Sequence, residues 1–142
     1  MKENIKNNQG RSLVTLTVTI AVVAIVLRFG AEKVLKVTIT QNESDALNTL
    51  KLISTSLENY AKDNVGVFPA NFSILTQTKP AYIDKDYIGL SPVKGYNYKF
   101  LRLEAYGYSL LAEPTMCNFT GRKIYTITTG GVLMTEECGK KE

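Results

Sequence analysis

The sequence predicts an α+β protein in which one long N-terminal helix packs, by its back half, on a small antiparallel β-sheet. All 4 prolines and 8 of the 10 glycines follow position 65, and Gly30 is the sole helix breaker between Gly10 and Gly66. Because proline and glycine end or kink helices, the first half permits one very long helix. The second half is punctuated by turn residues at short intervals, which is typical of short strands joined by loops.

Composition excludes several classes of function. The chain has 142 residues, 44% hydrophobic and 21% charged, so it is neither a disordered tail nor a polytopic membrane protein. Histidine is absent, which removes the usual general base and the commonest metal ligand. Two cysteines are too few for a thiolate zinc cage, and a net charge of +4 indicates no nucleic-acid arm. We therefore expect no enzyme, metal site, cofactor or nucleic-acid partner.

The front of the helix contains an uncharged run, Leu13–Leu27. Twelve of its 15 residues are apolar and the other three are threonines. A full bilayer crossing takes about 20 apolar residues, but Arg11 and Arg28 flank the run and can snorkel to extend it. In lipid this run is expected to be helical despite its β-branched residues, because a lone strand leaves its backbone groups unsatisfied there.

Three interpretations of this run compete. A cleaved secretory signal has a similar charged start and apolar length, but Val26–Gly30 is a poor cleavage site. A buried core helix would begin abruptly at the N-terminus. An uncleaved membrane anchor fits best, because the helical pattern continues well past Arg28.

The back of the helix is amphipathic. Its apolar residues recur at spacings of 3 and 4, which marks one face of a helix. They are Ala46, Leu47, Leu50, Ile53, Leu57, Tyr60 and Ala61. An unbroken helix over residues 12–64 is about 80 Å long at 1.5 Å per residue. Its apolar front half then has nothing in its own chain to pack on, and needs lipid or copies of itself.

The second half predicts a loop over residues 70–95, with a one-turn helix near Asn71–Gln77, followed by four strands. The first strand alternates aromatic and polar residues over positions 96–100. Three more strands are predicted at 108–112, 123–129 and 132–135, with a turn at 105–107 and a hairpin turn at Gly130-Gly131. We expect this sheet to cover the apolar face of the back half of the helix.

Cys117 and Cys138 bracket the predicted hairpin and are the only cysteines. A disulfide between them would stabilise the fold by roughly 3 kcal/mol in the chain-entropy picture and would need an oxidising compartment. Two reduced, buried cysteines acting as small hydrophobic residues are the alternative.

Two acidic clusters are candidate sites. Glu136-Glu137 is expected to be solvated, and Asp84-Lys85-Asp86 is expected to be a polar turn and not a cation site.

Six segments follow one another in a defined order along the first half of the chain. They are Met1–Gly10 as a basic leader, Arg11–Leu16 as a mature start, Ser44–Ile53 and Leu57–Tyr60 as an amphipathic helix, Asp63–Pro69 as a helix end, and Phe72–Leu75 after it. In this order and spacing they resemble the type IV pilins and the type II secretion pseudopilins.

The resemblance implies how the chain is processed and where it lies. A prepilin peptidase would cut on the cytoplasmic side between Gly10 and Arg11, and the new N-terminus would be methylated. The implied domains are a leader at 1–10, a transmembrane and filament-core helix at 11–40, and a globular head at 41–142. The chain would cross the inner membrane once, held in the lipid bilayer, and then enter a periplasmic pseudopilus or an extracellular pilus.

The implied partners are other pilin-like subunits, in a homo- or hetero-filament, and an inner-membrane assembly platform. Many pilins have a C-terminal disulfide loop, so the resemblance also implies that Cys117 and Cys138 are bonded. A structural subunit is therefore the predicted function. The alternatives are a minor tip subunit that binds DNA, a surface or a secreted protein, and a signal-anchored periplasmic domain without a filament.

Two residues depart from the family pattern. Arg11 stands where the first mature residue is usually Phe or Met, and Thr15 stands at the fifth mature position, usually Glu. In the family that carboxylate is assigned to the N-terminal amine of a neighbouring subunit. Threonine offers instead a bond to its own helix or a neutral hydrogen bond. We therefore expect a divergent or minor member.

Overall fold

The helix predicted for the first half is present as α1, Gln9–Asp63. The computed structural model describes residues 9–139, without the side chains of residues 9–12 and 31. The predicted leader therefore lies outside the described residues, apart from the backbone of its last two. The chain divides into two compact units between Lys36 and Val37. The unit from Val37 onward is called the head below.

In the first unit, the uncharged run Leu13–Leu27 is called the apolar segment. Every apolar side chain of valine, leucine or isoleucine in it is exposed, from 51% at Val23 to 67% at Leu27. The Thr17 hydroxyl donates to the carbonyls of Leu13 and Val14, at 3.1 and 2.9 Å. Such bonds to the preceding turn satisfy a hydroxyl within its own helix.

The head contains a four-stranded antiparallel sheet. Its strands are β1 (Tyr96–Glu104), β2 (Gly107–Pro114), β3 (Lys123–Thr128) and β4 (Val132–Glu137), in the order β1-β2-β3-β4. A short helix, α2 (Ile74–Gln77), lies in the connection that precedes the sheet. The predicted α+β class and the four predicted strands are confirmed.

One face of α1 packs on the inner face of this sheet. The predicted stripe is buried at five of its seven positions and half-buried at the other two. The buried positions are Ala46, Leu50, Ile53, Leu57 and Ala61. Aromatic residues dominate the opposing sheet face, with Tyr96 and Tyr108 fully buried, and Phe68 stacks edge-on against Tyr108 at 5.2 Å. The connection before the sheet adds Phe72, Leu75, Ile83 and Tyr87 to the core.

α1 ends in a left-handed turn. The Gly66 amide donates to the Ala61 carbonyl at 2.7 Å, and both Val65 (φ 57°) and Gly66 (φ 80°) lie in the left-handed region. Glycine adopts this conformation without strain, whereas a β-branched residue such as valine does not. The helix end predicted near Asn64 is observed.

The β3–β4 connection differs from the prediction. The two-residue turn expected at Gly130-Gly131 is a three-residue 3₁₀ turn, Thr129–Gly131, so β3 ends one residue earlier than predicted. Thr129 leaves the strand because its hydroxyl is held by β2: it accepts from the Tyr108 amide at 2.8 Å and donates to the Tyr108 carbonyl at 3.3 Å. β1 also runs on to Glu104 through a bulge between Phe100 and Arg102.

Candidate assembly segment and the disulfide loop

The predicted processing and assembly positions lie in the first turns of α1. The backbone of Gly10 and Arg11 belongs to the helix, and the Arg11 side chain lies outside the described part of the chain. Thr15 lies in the apolar segment, and its carbonyl accepts a hydrogen bond from the Thr19 hydroxyl at 2.7 Å. These positions follow one another along one helix.

The apolar segment is exposed on all sides of the helix. An 18-residue window of α1 has a mean hydropathy of 2.3, which makes this the one helix in the described chain that is long and apolar enough to cross a membrane. Exposed apolar surface of this extent is unfavourable in water, at roughly 25 cal/mol per Å². The segment therefore needs a non-aqueous neighbour.

A second candidate site surrounds the disulfide. Cys117 and Cys138 are bonded, with their Cα atoms 5.8 Å apart. The bond joins the end of β4 to the loop 115–122, called the disulfide loop below. Inside that loop the Asn118 amide donates to the Gly121 carbonyl at 2.8 Å. Met116 and Phe119 are exposed at its surface, at 58% and 61%.

Polar residues at the start of the head's part of α1 hold the disulfide loop. Asn42 Nδ2 donates to the Thr120 carbonyl at 2.9 Å, and Glu43 Oε1 accepts from the Arg122 amide at 2.8 Å. Sequence analysis did not predict that Asn42 and Glu43 contact this loop. A polar pair just before an amphipathic stripe is a weak signal, because such residues are usually solvated.

Gly121 gives the same loop its close contact with the sheet. A Cβ placed at Gly121 would collide with the ring and hydroxyl of Tyr96. That hydroxyl in turn donates to the Lys123 carbonyl at 2.9 Å. The absence of a side chain at Gly121 therefore lets the disulfide loop lie directly on β1.

A polar network, buried at Ser54 and Tyr108 and exposed at Gly130, joins α1 to the sheet and to the β3–β4 turn. The Tyr108 hydroxyl donates to Glu58 Oε1 at 3.0 Å, and the Gly130 amide donates to the same oxygen at 2.7 Å. Because the phenol has one proton, the Ser54 hydroxyl is the donor in its 2.7 Å contact with Tyr108. Burial, reinforced by Glu58, raises the pKa of Tyr108 to about 12.

The two acidic clusters lie at or near the surface of the head. Asp86 Oδ1 accepts from the amides of Ile88 and Gly89, at 3.0 and 2.9 Å, as in a polar turn. Glu136 and Glu137 are exposed. Within residues 9–139, no group of three or more His, Cys, Asp or Glu side chains is placed to hold a metal ion. A shallow cavity of about 250 Å³ beside the disulfide is lined by Asn118, Arg122, Glu137 and Cys138.

Comparison with solved structures finds a likeness of fold. No family model matches the chain, and no curated protein matches it. Among solved structures, the chain is similar to the non-core minor pilin PilV of Neisseria meningitidis, at 16% identity and a TM-score of 0.47, over 75% of this chain and 94% of that one. A likeness at this level carries no functional conclusion.

Proposed function

We propose that this chain is a structural, pilin-like subunit that assembles by packing of its N-terminal helix. The exposed apolar segment of α1, continuous with the helix that carries the head's core, is the observation that supports this most directly. Such a segment is stable in lipid before assembly and among neighbouring helices afterwards, because both environments remove apolar surface from water. Its threonines suit this role, since Thr17 and Thr19 satisfy their hydroxyls within α1.

The proposed route follows the order of the sequence. A prepilin peptidase cuts after Gly10 on the cytoplasmic side, and an inner-membrane platform passes the subunit into a pilus or a secretion pseudopilus. Thr15 provides no carboxylate for a neighbour's amine, which favours a minor or divergent subunit. The disulfide supports a head that folds in an oxidising compartment outside the cytoplasm.

The mass of the mature N-terminus tests this proposal. Full-length chain is isolated from membranes of cells that carry a prepilin peptidase, and its N-terminal peptide is measured by mass spectrometry. A chain that begins at Arg11, with or without an added methyl group, is expected. A chain that begins at Met1 would mean a signal-anchored domain and would refute processing.

A matched pair of variants sharpens the test. Gly10→Leu is expected to leave the precursor uncut, because the resemblance assigns cleavage to that glycine, whereas Gly30→Leu lies beyond the cleavage point and leaves the size shift unchanged. Gly30 has open space around its Cα, so the control is sterically tolerated. A normal size shift in Gly10→Leu would contradict the assignment.

A binding role at a filament tip is the second candidate, favoured by one observation. Met116 and Phe119 are exposed apolar residues on a loop that the disulfide and α1 hold in place. Replacing both by serine would abolish binding to DNA, a surface or a secreted protein if the loop is a recognition site. If the subunit is purely architectural, the unmodified chain shows no such binding, and the variant forms filaments in the same yield as the unmodified chain.

A further inference from the structure

Both edges of the head's sheet expose apolar side chains. β4 is exposed on both of its faces, with Val132 at 59% and Met134 at 50%. On β1, Leu101 at the bulge is 59% exposed. Single exposed apolar residues are ordinary, but uncovered edge strands are templates for pairing with another chain.

The open backbone groups of the two edges can be identified from existing hydrogen bonds. On β1, the outward groups of Tyr96 bond to Val93 and the Tyr98 amide bonds to Ser91 Oγ. Because alternate residues of a strand point the same way, the groups of Phe100 are the next to face outward, and those of Leu103 follow beyond the bulge.

On β4, the outward-facing set is found in the same way. The Cys138 amide donates to the Arg122 carbonyl at 2.7 Å, so the groups of Cys138, Glu136 and Met134 face β3. The groups of Thr135 and Leu133 therefore face away from the sheet. Among the described residues, β4 has β3 as its one neighbouring strand, so this side of it is an edge of the sheet.

The two edges carry opposite charges. β4 holds Glu136 and Glu137 and no basic residue, whereas the open part of β1 holds Lys99 and Arg102 beside Glu104. A pair of β4 edges would place four carboxylates together, and a pair of β1 edges is obstructed where Val93 and Ser91 already bond. Charge therefore favours β4 against β1 over either symmetric pairing.

We propose that β4 of one copy pairs with β1 of the next, so that neighbouring heads join edge to edge. In an antiparallel sheet of four consecutive strands, β1 and β4 run in opposite directions, so a copy in the same orientation continues the antiparallel alternation. The two interacting edges are different, so a growing assembly always keeps one open β1 edge and one open β4 edge. The contact therefore builds a chain of heads.

The faces and open groups select one register. Thr135 lies opposite Phe100 of the next copy, and Leu133 lies opposite Leu103, each with outward-facing backbone groups and on the inner face of its sheet. This register puts Glu136 opposite Lys99 on the outer face. The paired stretch is short, so the contact rests on the proposed function: helix packing holds the heads at high effective concentration.

A zero-length carbodiimide reaction on the unmodified chain tests the register. Lys99 Nζ already lies 2.8 Å from Glu113 Oε1, so the Lys99–Glu113 amide is an internal control for reactivity. Within one copy, Lys99 and Glu136 lie on strands three spacings apart, about 14 Å, beyond the reach of this reagent. A Lys99–Glu136 amide must therefore join two copies.

The reaction is run on filaments assembled from equal amounts of ¹⁵N-labelled and unlabelled full-length chain. The expected result is a mixed-isotope Lys99–Glu136 peptide that disappears in Glu136→Gln, while the Lys99–Glu113 peptide persists. Assembled filaments that yield the Lys99–Glu113 peptide alone would overturn the edge pairing and leave the proposed function standing. A chain that is not processed and does not assemble would overturn both.

A cysteine variant provides a second, independent readout. Lys99→Cys combined with Glu136→Cys is expected to give an oligomer ladder on a non-reducing gel, because each chain then carries both halves of the contact. Each single variant serves as a control and should give no ladder. Dimers from Glu136→Cys alone would show a symmetric β4–β4 contact instead and would overturn the head-to-tail arrangement.

Discussion

The Tyr108 side chain connects several elements of the head by hydrogen bonds. Its hydroxyl accepts from Ser54 and donates to Glu58, and Glu58 also holds the β3–β4 turn through the Gly130 amide. The tyrosine thus links α1, β2 and the hairpin. Tyr98 lies on the same sheet face and is equally buried, but its hydroxyl, beside Thr49, has no hydrogen bond of good geometry within residues 9–139.

These two tyrosines give a matched pair of variants. Tyr108→Phe is expected to lower the free energy of unfolding by about 1–3 kcal/mol, because Ser54 and Glu58 lose a buried partner. Tyr98→Phe is expected to change it by less than about 0.5 kcal/mol, since little hydrogen bonding is lost. Urea unfolding of the full chain in detergent measures both. Equal losses in the two variants would contradict this account.

Val65 has a backbone conformation that is unfavourable for valine. It is 95% exposed and has a φ of 57°. The left-handed backbone conformation is less favourable in free energy for a β-branched residue than for asparagine. Val65→Asn is therefore expected to raise the free energy of unfolding by about 1 kcal/mol. Val67→Asn is the control, because Val67 is outside the left-handed region; it is expected to give no gain. Thermal unfolding compares the two.

The buried tyrosines also set the response of the head to high pH. Burial raises the pKa values of Tyr96, Tyr98 and Tyr108, the last to about 12, from an ordinary value near 10. Between about pH 10 and 12 the unfolded chain releases protons that the folded chain keeps. The stabilisation is therefore complete below pH 10 and is lost as pH rises through 12.

Urea midpoints at pH 8, 10 and 11 measure this dependence. The wild-type midpoint is expected to fall above pH 10. The midpoint of Tyr108→Phe should be lower at pH 8 and should fall less steeply with pH, because one phenol with a raised pKa has been removed. An identical slope in the two proteins would show that Tyr108 does not carry the effect.

At the scale of elements, the disulfide ties the last strand to the rest of the head. β4 pairs with β3 alone and is exposed on both faces, so it has little packing to hold it. The Cys117–Cys138 bond and the Cys138 amide bond to Arg122 secure its end. α1 secures the disulfide loop from the other side through Asn42 and Glu43.

Removal of the disulfide should therefore loosen a defined region. Cys138→Ser is expected to lower the free energy of unfolding by about 3 kcal/mol. Hydrogen exchange should rise mainly over residues 115–122 and 132–138, where backbone bonds depend on the tie. A thiol reductant should bring the wild type to the variant's stability and leave the variant unchanged. Uniform loss of protection across α1 and β1 would contradict a local role.

At the scale of the whole molecule, the apolar segment sets the environment that the chain requires. Val23→Arg is expected to reduce the fraction of the chain that resists carbonate extraction from membranes, because a charge at the centre of a spanning helix costs about 2.5–3.5 kcal/mol. Thr55→Arg, at an exposed position of the same helix, is the control and should remain unchanged. Full retention of Val23→Arg would argue against a membrane-embedded segment.

Local periodicity in the sequence predicts much of the secondary structure of this protein. The spacing of Leu50, Ile53 and Leu57 predicts a buried helix face, and the alternation from Tyr96 to Phe100 predicts a strand, because both patterns reflect contacts within a few residues. The uncharged run from Leu13 to Leu27 likewise shows in the sequence alone that the front of the helix requires an apolar neighbour.

The tertiary structure alone decided which distant residues meet. Glu58 and Gly130, Glu43 and Arg122, and Gly121 and Tyr96 are separated by 72, 79 and 25 positions, and no local pattern marks them as partners. Their contacts depend on the order of the strands and on the side of α1 that faces the hairpin. The charges on β1 and β4 can act between copies for the same reason, because the strand order makes those two strands the open edges of the sheet.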